Sequence, residues 1–197
     1  NAPTAYGWFI DSDFSVIDPD DTDNFAFTSC SYLFDENVRN DNWLILPPVE
    51  IPDSNYQLCW RSLITEGPAT VDGYKVLAST SSNLPSSGDF SHVLFKAAET
   101  IKQISGPDYS LDPSDYLFSE GYVHASGFTD TNYYFLYSST GPFRGRLEPH
   151  CVSLAEFAGQ TIYVAFHHDS YNDTELQLDD ILISNGNSVP VHQAEQI

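Results

Sequence analysis

An all-β sandwich is the fold this sequence predicts, and three observations predict it. Val, Ile, Thr and abundant aromatics (12 Tyr, 13 Phe, 3 Trp) fall in short runs separated by Gly, Pro, Asn, Asp and Ser, the composition of strands and turns. No window of about 12 residues carries a clean helical stripe. Thr161 to Phe166 alternates strictly, with Ile162, Val164 and Phe166 on one face and Thr161, Tyr163 and Ala165 on the other, the period of a half-buried strand. A chain of 197 residues is ample for one such sandwich with a full core. The expected layout is a single domain over 1–184 and a patternless tail or linker over 185–197.

In chain order, Asn1 to Ala5 reads as an arm and Tyr6 to Ile10 as the first apolar run. An acidic loop follows, with Asp11, Asp13, Asp18, Asp20, Asp21 and Asp23 in 13 residues. Phe25 to Leu33 reads as a strand and Asp35 to Asp41 as a polar turn. Trp43 to Leu46 is continuously apolar and stops at Pro47-Pro48, which cannot extend a central strand. Val49 to Ile51, Tyr56 to Ile64, Tyr74 to Ser79 and Phe90 to Phe95 are further strands, divided by turns at Pro52–Asn55 and Val71–Gly73 and by a Ser/Pro-rich loop from Thr80 to Gly88. About 99–149 is irregular, a long insertion of the kind that often carries function. Thr161 to Phe166 and Leu176 to Ile183 close the fold.

The last of these strands switches parity. Leu176 and Leu178 fall on one face, Ile181 and Ile183 on the other, and the switch lies at Asp179-Asp180. A simple strand would bury Asp180 with the leucines, and an unpaired buried carboxylate is too costly to leave alone. A β-bulge at the pair or a neutralising cation removes the conflict, and the two are compatible.

Charge bounds function. Seven Lys plus Arg against 28 Asp plus Glu give a formal net charge of −21. Such a surface repels nucleic acid and anionic membranes. No apolar run approaches the roughly 20 residues that span a bilayer, and no signal peptide is visible at Asn1, so the sequence reads as a mature or excised piece. The acidic loop is no EF-hand, because neither start has Gly at the sixth position and Glu at the twelfth. Such clusters are often merely solvated, yet Asp179-Asp180 offers a second half-site and favours a metal. Three cysteines, Cys30, Cys59 and Cys151, allow three single-disulfide pairings, and the sequence does not choose among them. Cys59, within Gln57-Leu58-Cys59-Trp60, reads most simply as a small buried thiol.

Four segments resemble the cleaved-adhesin family, also called choice-of-anchor J domains, in the family's order. They are Asp41 to Val49, Gly73 to Thr80, Val152 to His168, and Leu178-Asp179-Asp180-Ile181. Gly7-Trp8 before Asp11-Ser12-Asp13 is similar to the family's opening motif. The resemblance covers about 6–98 and 150–184 and departs between them. It implies a jelly-roll β-sandwich of two antiparallel sheets, secretion to the bacterial surface beside flanking domains, an adhesive role, and calcium near the junction of the first and last strands. Calcium takes six to eight hard oxygens. The expected ligands are Asp11, Asp13 and one or both of Asp179 and Asp180; Asp18, Asp20, Asp21 and Asp23 either serve a second ion or face water.

A recognition role is expected over catalysis. His167 and His168 are strand neighbours that point to opposite faces and cannot chelate one metal. There is no Gly-x-Ser-x-Gly elbow and no His-Glu-x-x-His, and carboxylates such as Asp112, Asp115 and Glu120 could be paired on paper in any acidic protein. Tyr109, Tyr116, Tyr134 and Tyr137 supply amphipathic rings that stack on a sugar or clasp a peptide. Arg144 and Arg146 would take an anionic group on that extracellular glycan or peptide. The rivals are a calcium-stiffened spacer that binds nothing else and a polysaccharide hydrolase.

Overall fold

The structure is a computed structural model, and it describes residues 7–11, 25–31, 38–64, 68–110, 112–123, 147–171 and 174–186. Twelve strands are formed in this part of the chain: β1 (Trp8–Asp11), β2 (Ala26–Cys30), β3 (Asn42–Ile45), β4 (Val49–Ile51), β5 (Tyr56–Ile64), β6 (Tyr74–Ser79), β7 (His92–Lys96), β8 (Thr100–Gln103), β9 (Tyr116–Phe118), β10 (Glu148–Ser153), β11 (Gln160–His168) and β12 (Glu175–Asn185). The helical turns among the described residues are short 3-10 segments.

Two antiparallel sheets form the sandwich. One has the order β1-β2-β12-β5-β10, the other β3-β11-β6-β7 with β4 also on β11. From β2 onward the chain largely crosses between layers, so β10, β11 and β12 lie in the first, second and first sheet. Strict alternation then buries Ile162, Val164 and Phe166 of β11 against Leu58 and Trp60 of β5, Tyr74 and Val76 of β6, and Leu176 and Leu178 of β12. Trp60 Nε1 donates to the Tyr74 hydroxyl across the two layers at 2.8 Å. Burial holds that phenol protonated well above the usual tyrosine range.

Pro47-Pro48 does what an edge position permits. β3 and β4 lie along the same side of β11, with Asn42 opposite His168 and Ile51 opposite Gln160. Proline's missing N–H is tolerated there because, among the described residues, that side has no further strand to serve.

The expected strands over 56–64 and 74–79 match β5 and β6 residue for residue. The stretch 99–149 is more regular than expected. β8 and β9 pair as a separate two-stranded sheet, and β10 is an edge strand on β5. Edge placement accommodates Pro149 and the mixed polar pattern of β10, which hid it from periodicity.

Cys59 is a correction. Cys151 of β10 stands directly opposite Cys59 of β5, with Cα atoms 4.1 Å apart, and the two form a disulfide. Local apolar context suggested a buried thiol, but that role belongs to Cys30, which is buried with its Sγ donating to Glu175 Oε1 at 3.2 Å.

One polar knot joins the layers. His168, the last residue of β11, is fully buried with Ser29 of β2 and Asp72 before β6. Asn40 Nδ2 can only donate, so His168 Nδ1 accepts and the ring proton sits on Nε2, which donates to Asp72 Oδ1 at 3.0 Å. His168 Nδ1 then accepts from Asn40 Nδ2 at 2.9 Å and Ser29 Oγ at 2.8 Å. Ser29 Oγ in turn accepts from Asn42 Nδ2 at 2.9 Å, and Asp72 Oδ2 accepts from the Thr174 amide at 3.2 Å.

Leaving the buried His168 Nε2–H without its acceptor costs about 1–3 kcal/mol. Asp72→Ala is therefore expected to lower Tm by roughly 2–12 °C, read by thermal denaturation; an unchanged midpoint would show that the knot is dispensable. Thiol titration is expected to find one reactive group in the denatured, unreduced chain and none in the native one, while reduction of Cys59–Cys151 removes about 2–4 kcal/mol of stability.

Candidate functional site

The closing strand carries the parity switch as a bulge. Asp179 pairs with Arg61 and Leu182 with Cys59, so β12 has one residue more than β5 between these pairs. Asp180 takes up the excess with φ of +50°, a left-handed conformation that aspartate tolerates better than most residues. The consequence is that Leu176 and Leu178 are buried before the bulge, while Ile181 and Ile183 still pack on the same core after it. Asp180 is exposed instead of buried. Its Oδ2 accepts from Arg61 Nε at 2.9 Å, and its amide donates to Asp179 Oδ1 at 2.7 Å. Of the two expected resolutions the structure shows the bulge, and the Arg61 guanidinium pairs with the carboxylate that it turns outward.

The register also decides where the acidic loop starts. Asp11 pairs with Ala26 on β2, and Phe27 pairs with Leu178 on β12. The backbone of Asp11 thus enters the loop at the same end of the β1-β2-β12 ladder as Asp179, two strands away. Asp13, Asp18, Asp20, Asp21 and Asp23 lie outside the described residues, and no group of three or more His, Cys, Asp or Glu among the described residues could hold a metal ion. The described donors, Asp179 and Asp180, are hard carboxylate oxygens of the kind calcium takes.

Of the aromatic and basic candidates, Tyr134, Tyr137, Arg144 and Arg146 lie outside the described residues. Tyr109 and Tyr116 both line a cavity of about 530 Å³ beside β8, but they differ. Tyr116 is buried and its hydroxyl donates to the Ser110 carbonyl at 3.0 Å. Tyr109 is 79% exposed at φ +57°. The loop beneath it is stapled by Asp115, which accepts from Ser105 Oγ at 2.6 Å and from Ser110 Oγ. These hydrogen bonds hold the Asp115 carboxyl below the usual range. Asp112 caps the next turn by accepting from the Ser114 amide at 2.9 Å. Both carboxylates are thereby engaged in loop structure.

Sequence reasoning missed Arg39, Lys75, Glu99 and Asp169, which line a second cavity of about 240 Å³, and Tyr171, whose ring lies under the Arg39 guanidinium. They come from separate segments, so no local motif could have announced them.

Serine, histidine and aspartate do converge at Ser29, His168 and Asp72, but all three have zero exposure, so no substrate reaches them. His167 faces the other way. Its ring stacks on Trp43 at 3.9 Å and 15°, and Nε2 lies 2.8 Å from Asp41 Oδ1, which also accepts from Trp43 Nε1 at 2.7 Å.

The Cleaved Adhesin Domain sequence profile matches residues 5–111, just over half of the chain. The chain belongs to that family. No curated protein matches it. Among solved structures, it is similar to the K1 cleaved adhesin domain of Lys-gingipain from Porphyromonas gingivalis W83 at 19% identity and a TM-score of 0.53, over 92% of this chain and 85% of that one. It is also similar to the K2 cleaved adhesin domain of Lys-gingipain at 20% identity and a TM-score of 0.51, over 92% and 84%. At these identities the likeness speaks for the cleaved-adhesin β-sandwich fold.

Within this cleaved-adhesin domain the outer cluster at His167 has a defined pH response. Burial pushes the His167 imidazole below its ordinary 6.5, against the pull of Asp169 and Asp41. Asp41 is 80% exposed and acts largely through water, which is why it loses this contest. The Trp43 indole, then the His167 ring, hold the Asp41 carboxyl below its usual range. Above pH 6.5 the His167 contribution is unchanged; below it the unfolded chain takes a proton that the folded chain resists, so stability falls as pH drops towards the folded-state pKa. An NMR titration of the His167 ring is expected to give a midpoint below 6.5. A midpoint above it would mean that Asp41 outweighs burial.

Proposed function

We propose that the chain is a secreted, calcium-braced recognition module of adhesin type that binds an extracellular glycan or peptide within a larger surface protein. Membership of the Cleaved Adhesin Domain family is the observation that carries this reading. The Cys59–Cys151 disulfide supports an oxidising, extracytoplasmic setting. The charge of −21 disfavours nucleic acid as the partner, and no described helix is long and apolar enough to cross a membrane. The sealed Ser29–His168–Asp72 knot and the loop roles of Asp112 and Asp115 support binding rather than catalysis.

The brace is the acidic loop. Asp11, Asp13 and Asp179, with Asp180 where Arg61 leaves it an oxygen, are the ligands proposed for one calcium, and Asp18 and Asp20 for its surroundings or a second ion. The support is that β1 delivers the loop to the end of the ladder where Asp179 stands. When bound, the ion would neutralise carboxylates that otherwise repel one another and would fasten the first strand to the last.

Calcium at about 100 times its dissociation constant is expected to add about 2.7 kcal/mol and raise Tm by roughly 5–10 °C relative to chelator, with Asp179→Ala reducing the shift. An unchanged melt would remove the metal from the reading. A glycan and peptide array, run with millimolar calcium and again after chelation, tests recognition itself. Signal that disappears on chelation supports a calcium-dependent binder. Silence in both conditions leaves a stiff spacer, and turnover of an arrayed polysaccharide would make the chain a hydrolase.

A further inference from the structure

The β6–β7 ladder sets Lys75 directly opposite Lys96. Like charges at such positions repel, and in a chain with only seven basic residues the pairing is conspicuous. The fold answers with acids: Lys75 Nζ contacts Asp169, and Lys96 Nζ lies 3.4 Å from Glu120. Arg39 completes the set, donating to Glu99 Oε2 at 2.7 Å and to the Asp169 carbonyl. These groups line the cleft of about 240 Å³.

Arg39 also joins this cleft to the next. Its guanidinium lies 4.3 Å from the centre of the Tyr171 ring, and Tyr171 lines the cavity of about 530 Å³ with Tyr109, Lys102, Gln103 and Asp108. Four of the seven cations, Arg39, Lys75, Lys96 and Lys102, therefore stand along the two clefts beside four acids, Glu99, Glu120, Asp169 and Asp108. The clefts are locally neutral on a protein of charge −21.

Tyr109 gives this face its direction. A large aromatic at φ +57° is strained, and this one is held there by a loop fixed from below while its ring stands 79% in water. Gln103 Nε2 adds hydrogen bonds to the Ser105 and Pro107 carbonyls at 2.8 and 2.6 Å. Folding gains nothing from an exposed ring in a strained backbone, and such outliers collect at binding sites. A rigid, amphipathic ring stacks well on the C–H face of a sugar.

We propose that the two adjoining clefts form one groove for a neutral, hydroxyl-rich glycan, with Tyr109 and Tyr171 as its stacking rings. This rests on the recognition reading above and names its site and ligand class. Each sugar hydroxyl both donates and accepts, so alternating carboxylates and ammonium or guanidinium groups match it, with Lys75, Lys96 and Asp169 as the nearest partners. The smaller cleft is walled mainly by charged side chains, Arg39, Lys75, Lys96, Glu99, Glu120 and Asp169, which suit hydroxyl groups better than the apolar anchor of a peptide. A polyanionic glycan would meet the repulsion of the whole chain.

The test uses the intact, calcium-loaded chain in affinity electrophoresis through gels containing a soluble α-glucan, β-glucan, mannan or galactan, with heparin and a lysine-rich peptide as charged comparators. Retardation by at least one neutral glycan is expected, little changed by raising salt to about 0.5 M. Tyr109→Ala and Tyr171→Ala are each expected to weaken it about tenfold, Lys96→Met to weaken it measurably, and Leu84→Ala, exposed elsewhere, to leave it intact. Tyr109 is so exposed that its variant keeps the native melting curve, which separates loss of binding from loss of fold. Neutral-glycan binding that survives the tyrosine variants would overturn the groove while leaving recognition standing. Binding of heparin or the peptide alone would overturn the ligand class. Silence on every gel and on the array would remove the recognition reading and the groove with it.

Discussion

The imidazole of His168 is the point on which the two layers depend. It closes β11 in one sheet, takes a hydrogen bond from Ser29 in the other, and gives one to Asp72, which also receives the Thr174 amide ahead of β12. Buried polar groups are costly unless every one is partnered. The ends of β2, β6, β11 and β12 must therefore arrive together, or His168 and Asp72 are left exposed to an apolar interior. Apolar packing holds the sandwich together, while this knot fixes how one sheet is set against the other.

The bulge at Asp179-Asp180 plays a second, local version of the same rule. A carboxylate cannot join Leu178 in the core, so the strand gains a residue, Asp180 swings outward to Arg61, and Ile181 returns to the apolar side. The same extra residue presents two acids at the end of the ladder where β1 runs into the acidic loop. A packing conflict in the text of the sequence thus becomes a bulge that turns one carboxylate out to a guanidinium.

That conflict was legible because parity and charge are written residue by residue, as were the long strands β5 and β6 and the inward set on β11. What was illegible is relational. Cys59 and Cys151 are 92 residues apart, and only the β5–β10 register makes them partners. β8 and β9 are too short for periodicity to register, and β10 contains a proline that only an edge strand would accept. The site shows the same division. Tyr109 could be picked out as an exposed aromatic from its polar context, but Arg39, Lys75, Glu99, Asp169 and Tyr171 become a group only when four loops and strands converge. The charge balance of those clefts likewise is invisible to a chain-wide sum.

The disulfide has a mechanical meaning for any domain that tethers one body to another. It fastens the edge strand β10 to the interior strand β5, and because the two cysteines are 92 positions apart it closes the stretch between Cys59 and Cys151 into a loop that tension on the chain cannot draw out. Fully extended, that length of polypeptide would reach about 300 Å. Under tension, this stretch would remain short even after its hydrogen bonds gave way, and the reach of the unfolded chain would be smaller by about that length.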